Sequence, residues 1–468
     1  MTSTTLDESL LEGSDITVLR PGSTEFDAAR VIWNAMFDRH PLLILQPKST
    51  EGVARAVKFA RANDLPIAVK CGGHSAPGHS MCGSEGIVID LVDLQKVAVD
   101  PVKKEARGQG GALLGRLDEA TAPHGLVVPA GVVSHTGMGG LVLGGGFGHI
   151  MRKFGLSIDS LLSAEVVLAD GSVVRADTDH HADLFWALRG GSGNFGIVTE
   201  FHFKCHDFGP SVAVAIAVIE LEHARPALEL WSAEMEDGPD ELSWISFLRN
   251  VPDRPEFAWV PRELVDKPVL IMPMLWAGDP EEGEQRLAQL TDKLENLAVL
   301  YRDVLPYVLV QQQYDDIFGY GYRTYCKAGF INDLNDAAID ALLDSSACVP
   351  NSLSQIEILR LGGAVERVAE DETAFSHRKA KYPINIIAMW DDASRDDETI
   401  GWVRQAYSSV EPFLNGGIYV NYAGGDETGG DAAAYGSTWD RLVSLKEKWD
   451  PDNVFRFNAN LRRADLAT

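Results

Sequence analysis

A two-part α+β protein is the fold class that this sequence predicts, and three observations predict it. The chain has 468 residues, more than one hydrophobic core usually organises. Strand-like and helix-like segments alternate from residue 41 onward. A second stretch, from about residue 209, alternates again in a way that suits an antiparallel or mixed sheet with helices on one face.

In order along the chain, LLIL at 42–45 reads as a strand. STEGVARAVKFARAND follows, with Ser49 or Thr50 placed to cap a helix ahead of Glu51 and with Val53, Val57 and Ala60 on one face. LPIAVK and GIVIDL read as further strands, and residues 113–124 as a helix. Residues 129–148 are very rich in glycine, which lets the backbone approach another group closely. SAEVVLADGSVVRA reads as a hairpin about Asp170-Gly171. A helix ending near Arg189 and the strand FGIVTEFHFKC then close a first region. The second region carries VAVAIAVIEL, SWISFL, PVLIMPML, QIEILRL and NIIAMW as strands with helices between them. The expected units are 1–208, 209–415 and a tail, 416–468, that returns to the first.

Composition narrows the function classes. Apolar residues at 45% and charged residues at 23% describe a globular chain. A formal charge of −27 repels phosphate backbones and anionic lipid surfaces, so neither nucleic acid nor a membrane is an expected partner. The opening MTSTTLDESLLEGSD has no basic start and no apolar core, which leaves the cytoplasm as the expected location. No apolar run reaches the roughly 18 residues of a spanning helix. Five scattered cysteines without C-x-x-C spacing are expected to be free thiols. No metal site is expected, because His74 with His79, and His180 with His181, lack further ligands at suitable spacing.

Two motifs bear on a phosphate-containing cofactor. Gly191 to Gly196 matches the G-x-G-x-x-G pattern, but a helix-like segment precedes it and a strand follows, the reverse of a dinucleotide-binding turn. KCGGHS at 70–75 instead follows a strand, so its N–H groups can form an anion nest for a diphosphate, with His74 projecting from the loop.

The pattern V-x-GGHS-x-x-G at 69–78, the run GVVSHTGMGGLVLGGGFG, then RKFGLSIDSL, LFWALRGGSGNFGIVT, the terminal YVNY and DPDNVFRFNAN together resemble the FAD-linked oxidases of the berberine-bridge-enzyme-like branch, which share the vanillyl-alcohol-oxidase type FAD-binding fold. The resemblance implies a two-part FAD-binding domain, a substrate domain whose mostly antiparallel sheet is covered by helices, and FAD joined by its 8α-methyl to His74. Many relatives add a second bond through a cysteine. Val133 stands at that position here, so single attachment is expected. Lys70, Cys71, Gly72, Gly73, His74, Ser75, Gly78 and His79 are implied to wrap the diphosphate and flavin. Ser134, His135, Thr136, Gly137, Gly140, Gly144, Gly145 and Gly148 are implied to line the other side. Gly196 and Val198 are implied to meet the adenine, and Tyr419, Asn421 and Asn458 to return to the cofactor from the carboxy terminus.

Flavin oxidation of an alcohol needs a base. In QIEILRL the strand period of two puts Gln355, Glu357 and Leu359 on one face. Glu357 is the leading base or substrate anchor, with Gln355 beside it; Lys327 could pair with Glu357 or with an anionic substrate. Phe247, Tyr322 and Tyr325 are weaker candidates for the cleft wall. The expected activity is oxidation of a small alcohol, amine or secondary-metabolite intermediate with O2 as acceptor and hydrogen peroxide as product. An oxygenase acting on a polyketide-like substrate, with Thr136 near the flavin, and a flavin-containing drug-binding protein stay open, and a homodimer is compatible with the sequence.

Overall fold

The computed structural model describes residues 6–13, 15–426 and 429–462; part of the opening stretch read above for a targeting signal lies outside the described residues. The first sheet has four strands. Leu43–Pro47, Ile87–Asp90 and Ile67–Lys70 run parallel, and Ile16–Leu19 adds antiparallel to the outer edge. The helix Thr50–Ala62 links the first and last of the parallel strands. Ser49 caps it by accepting from the Gly52 N–H at 3.0 Å, and Val53, Ala56, Val57 and Ala60 are buried against the sheet. Capping and stripe together explain why this helix was legible.

A second, five-stranded sheet is wholly antiparallel, in the order Val97–Asp100, Glu105–Gln109, Ile197–Lys204, Leu161–Val167, Val173–Asp177. The last two strands are the hairpin at Asp170-Gly171. The glycine-rich run follows the short strand Leu126–Val127, which pairs with His206–Asp207 apart from this sheet, and it is not all loop, since Met138–Leu143 forms a short helix within it. The G-x-G-x-x-G segment lies between the helix Ala182–Leu188 and the strand Ile197–Lys204, the context read from the sequence.

The third sheet has eight strands, all antiparallel. Its path is Ala298–Pro306, Ser211–Glu220, Pro268–Trp276, Ser246–Asn250, Gln355–Ile358, Tyr382–Trp390, Arg323–Ile331, with Leu242–Trp244 also paired to Pro268–Trp276. One face packs on the helices Ala224–Glu236, Pro280–Asp292, Asp336–Ser346 and Asp396–Val410 through Trp231, Leu287, Leu342 and Val403. The other face turns toward the glycine-rich run and its neighbours. Tyr382–Trp390 is therefore buried along its whole length, which is why its sequence, Asn385 apart, is apolar on both faces rather than alternating. Two strands of this sheet were not read from the sequence, and both lie at its edges. Ala298–Pro306 is half exposed and carries Arg302 and Asp303, and Arg323–Ile331 is broken in pattern by Lys327 and Gly329.

A buried ion pair ties the segment between Gln355–Ile358 and Tyr382–Trp390 to the glycine-rich side. Arg378 is fully buried and donates to both Asp159 oxygens at 2.8 and 2.7 Å and to Thr373 Oγ1 at 2.8 Å. Removing one partner leaves the other charge buried without compensation, which typically costs about 3–5 kcal/mol. Arg378→Met is expected to lower the urea unfolding midpoint accordingly; an unchanged midpoint would show that Asp159 finds another partner.

Candidate active site

The loop after Ile67–Lys70 and the glycine-rich run meet backbone to backbone. A Cβ on Gly72 would lie 2.4 Å from the Gly137 nitrogen, so only glycine permits this approach. Tyr320 closes the contact by donating its O–H to the Gly72 carbonyl. His74 projects from this junction, stacked on Trp33 with ring centroids 5.4 Å apart and edge-on to Tyr320. Its Nε2 is 2.7 Å from His135 Nδ1, and His135 Nε2 is 3.1 Å from the Asp315 carbonyl oxygen. The Asp315 carboxylate accepts from the Ser134 N–H at 2.7 Å and from the Ser134 hydroxyl at 2.5 Å. Burial, and then the neighbouring imidazole, push the His74 pKa down to about 3.

His74 opens onto a cleft of about 380 Å³. Of the cofactor residues expected from the sequence, the cleft wall contains Cys71, Gly72, Gly73, His74, Ser75, His79, Thr136, Gly137, Gly140, Gly196, Val198, Tyr419, Asn421 and Asn458. The rest stand behind it. Lys70 pairs with buried Asp90 at 3.0 Å, and Gly78 turns beneath Phe37. Ser134 and His135 are held by Asp315, while Gly144 and Gly145 pack on Asn421, Tyr419 and Phe375, and Gly148 packs on the Ala130 carbonyl. The tail grips the glycine-rich segments from the far side. The Tyr419 hydroxyl accepts from the N–H groups of Gly146 and Phe147 at 3.0 and 3.2 Å, Asn421 donates to the Leu141 carbonyl at 3.0 Å, and Asn458 donates to the Gly193 carbonyl at 3.1 Å.

The far wall comes from the third sheet. Register puts Phe247, Glu357 and Asn385 side by side on one face, and Glu357, Asn385, Ile387 and Cys326 all line the cleft. Glu357 is 7% exposed. Burial raises its carboxyl to about 7, opposed by hydrogen bonds from the Asn385 amide and the Tyr422 hydroxyl. Gln355 lies further along the same face, outside the cleft wall, where its amide oxygen accepts from buried Arg249 at 2.7 Å. Phe247 is packed against Tyr314 and does not line the cleft. Lys327 does not meet Glu357. It falls on the opposite face of its strand, 3.1 Å from Asp426 and over the Tyr407 ring, because the period of two turns it toward the helices. Tyr325 shares that face and donates to Asp426, and Tyr322 packs against the cluster of Trp33, Cys326, Ile387 and Met389 without lining the cleft.

These residues fit FAD. Gly140 lines the cleft, and a Cβ on it would meet no atom, so bare backbone faces open space there. Ser80 Oγ and Asn458 Oδ1 belong to cleft-lining residues and have no hydrogen-bond partner among the described residues, as expected where a polar molecule completes the wall.

Comparison with known proteins agrees. Residues 41–177 match the FAD binding domain family and residues 418–462 the berberine and berberine-like family. An FAD-linked oxidoreductase of Dictyostelium discoideum is 30% identical over 454 residues, spanning 95% of this chain and 94% of that one. This chain is a berberine-bridge-enzyme-like FAD-linked oxidoreductase. The structure of BBE-like 1 from Physcomitrella patens superposes on this FAD-linked oxidoreductase with a TM-score of 0.85 at 25% identity, covering 98% of this chain and 100% of the other. Glucooligosaccharide oxidase from Acremonium strictum, whose flavin is a 6-S-cysteinyl, 8α-N1-histidyl FAD, does so with a TM-score of 0.84 at 25% identity, covering 96% and 98%.

In this oxidoreductase, sequence reasoning missed Tyr422, Asn385, Trp33 and Asp315. Tyr422 was within sight: it is the second tyrosine of YVNY, and the turn Val420–Tyr422 swings it to Glu357 while Tyr419 remains in the core. Asn385 carried a weaker signal, as the one polar side chain of an apolar strand. Among the described residues no helix is long and apolar enough to cross a membrane, and no cluster of His, Cys, Asp and Glu could hold a metal ion.

Proposed function

We propose that this oxidoreductase oxidises a small organic molecule bearing an alcohol or amine, using FAD attached through His74 alone and O2 as electron acceptor. The observation that carries the reading is the Glu357 carboxyl, raised to about 7 by burial and held by hydrogen bonds from Asn385 and Tyr422, lining the same cleft as His74. When bound, FAD supplies the two-electron acceptor for the substrate's hydride. Glu357 in its ionised form takes the proton from the substrate O–H or N–H, while Tyr422 and Asn385 donate to it and hold its orientation. Asn385 Oδ1, which has no partner among the described residues, is left to accept from the substrate. Trp33, Phe318 and Ile387 give that end of the cleft an apolar lining that excludes water.

Single attachment is supported by two side chains. Val133, which stands in the sequence pattern where many relatives carry the second bonding cysteine, lines the cleft. Burial pushes the Cys71 thiol up to about 11, so it stays protonated and is a poor nucleophile. The test is to precipitate the protein in acid, digest the pellet and weigh the His74 peptide, then assay a panel of alcohols and amines for peroxide release. Flavin left entirely in the supernatant would sink the covalent assignment. Substrates that bleach the flavin under nitrogen yet release no peroxide in air would sink O2 as acceptor.

A further inference from the structure

The geometry points to His135 as the residue that makes His74 Nδ1 the attacking atom in its own attachment to FAD. The inference rests on the proposed histidyl linkage and deepens it. A carbonyl oxygen can only accept, so the 3.1 Å contact with Asp315 places the His135 proton on Nε2. In the neutral ring Nδ1 is then an acceptor, and the 2.7 Å contact can form only if His74 carries its proton on Nε2. His74 Nδ1 is left with its lone pair free, and among the described residues no hydrogen bond reaches it. Trp33 stacked on one face and Tyr320 on the edge keep the ring from turning over.

Three further features hold His135 in this role. Asp315 is pinned by two hydrogen bonds from Ser134, the residue next to His135, so the carbonyl that fixes the tautomer is fixed in turn. His74 is held far from its protonated state by burial and by the facing imidazole. His135 lies behind the cleft wall, so its influence on FAD passes through His74 and it is a positioning residue.

The attachment balances as follows. A C–N bond forms between His74 Nδ1 and the 8α carbon. One hydrogen is lost from the 8α-methyl and one from His74 Nε2, the latter to His135 Nδ1. The two electrons and two protons released are taken up by O2, one hydrogen peroxide forming per attachment. Without an acceptor at His135, the His74 proton has no reason to stay on Nε2, and when it resides on Nδ1 attack is blocked.

The experiment compares the full-length protein with His135→Ala and His135→Asn. Each is purified from cells starved of riboflavin, loaded with FAD in air, and sampled over time for acid-stable flavin on the His74 peptide and for peroxide. Binding of FAD before attachment is followed separately by quenching of flavin fluorescence. Wild type is expected to give acid-stable flavin and peroxide in equal amounts. His135→Ala is expected to bind FAD equally well but to attach it about a hundredfold more slowly, at the low end of what a positioned base contributes. His135→Asn, whose amide oxygen stands near the Nδ1 position, is expected to recover about tenfold of that loss, since it restores the acceptor but not the base. Attachment by His135→Ala at the wild-type rate would overturn the inference, and so would His135→Asn no faster than His135→Ala. If His135→Ala does not bind FAD, the Asn variant alone decides, with wild-type speed counting against. A wild type that binds FAD but never makes it acid-stable would instead remove the histidyl linkage itself.

Discussion

Replacing Glu357 with Gln is expected to slow flavin reduction in a single turnover by about 10²–10⁴-fold, the range associated with a positioned base, while leaving the flavin in place. Gln keeps the size of the side chain and can accept from Tyr422 or Asn385, but it cannot take a proton. The wild-type rate should climb about tenfold per pH unit below neutrality and level off above about 7, where burial has set the carboxyl. The variant should lack that limb. A second consequence has an independent sign. The carboxyl binds its proton more tightly folded than unfolded, being raised from 4.5 to about 7, so its ionisation costs stability progressively between those two pH values and by a constant amount above them. Two and a half units correspond to about 3 kcal/mol. Glu357→Gln should therefore be more stable than wild type at pH 8 and equal to it at pH 4. Undiminished single-turnover reduction would take Glu357 out of the chemistry whatever the stability result.

Gly72→Ala should yield a folded protein that has lost most of its flavin. The new methyl would sit 2.4 Å from the Gly137 nitrogen and 3.0 Å from the His135 carbonyl oxygen. Both are backbone atoms, so one loop must retreat. Overpacking of this kind costs about 1–3 kcal/mol, and here the strain falls on the junction that aims His74, so flavin retention should drop by roughly tenfold or more. Gly140→Ala is the informative contrast. Its Cβ meets no protein atom, so the fold should be untouched and only a ligand in the cleft would feel it. The ratio of flavin to protein absorbance reads both, with circular dichroism as the check on folding. Full flavin content in Gly72→Ala would mean that the two loops separate without consequence for the cofactor.

How much of this could be read in advance depended on range. The capped helix Thr50–Ala62, the hairpin at Asp170-Gly171 and the inverted surroundings of the G-x-G-x-x-G segment were legible because each is decided by neighbours in sequence: a capping hydroxyl, a turn dipeptide, the order of helix and strand. KCGGHS likewise announced a tight loop with a projecting imidazole. The edge strands Ala298–Pro306 and Arg323–Ile331 were not legible, since the first is half-exposed without strong alternation and the second, though mostly buried, is interrupted by Lys327 and Gly329.

The residues themselves determine the α+β class, the glycine-rich approach to His74, and the presence of one carboxylate in an otherwise apolar strand. Tertiary structure alone decided what those groups face. Glu357 meets Tyr422 from 65 positions further on and Asn385 from the neighbouring strand, Lys327 turns away to Asp426, and Asp315 reaches back to Ser134 and His135. The physical reason is that a side chain's pKa and tautomer are set by the partners and burial that surround it in space, and sheet register and loop closure bring those partners in from distant parts of the chain.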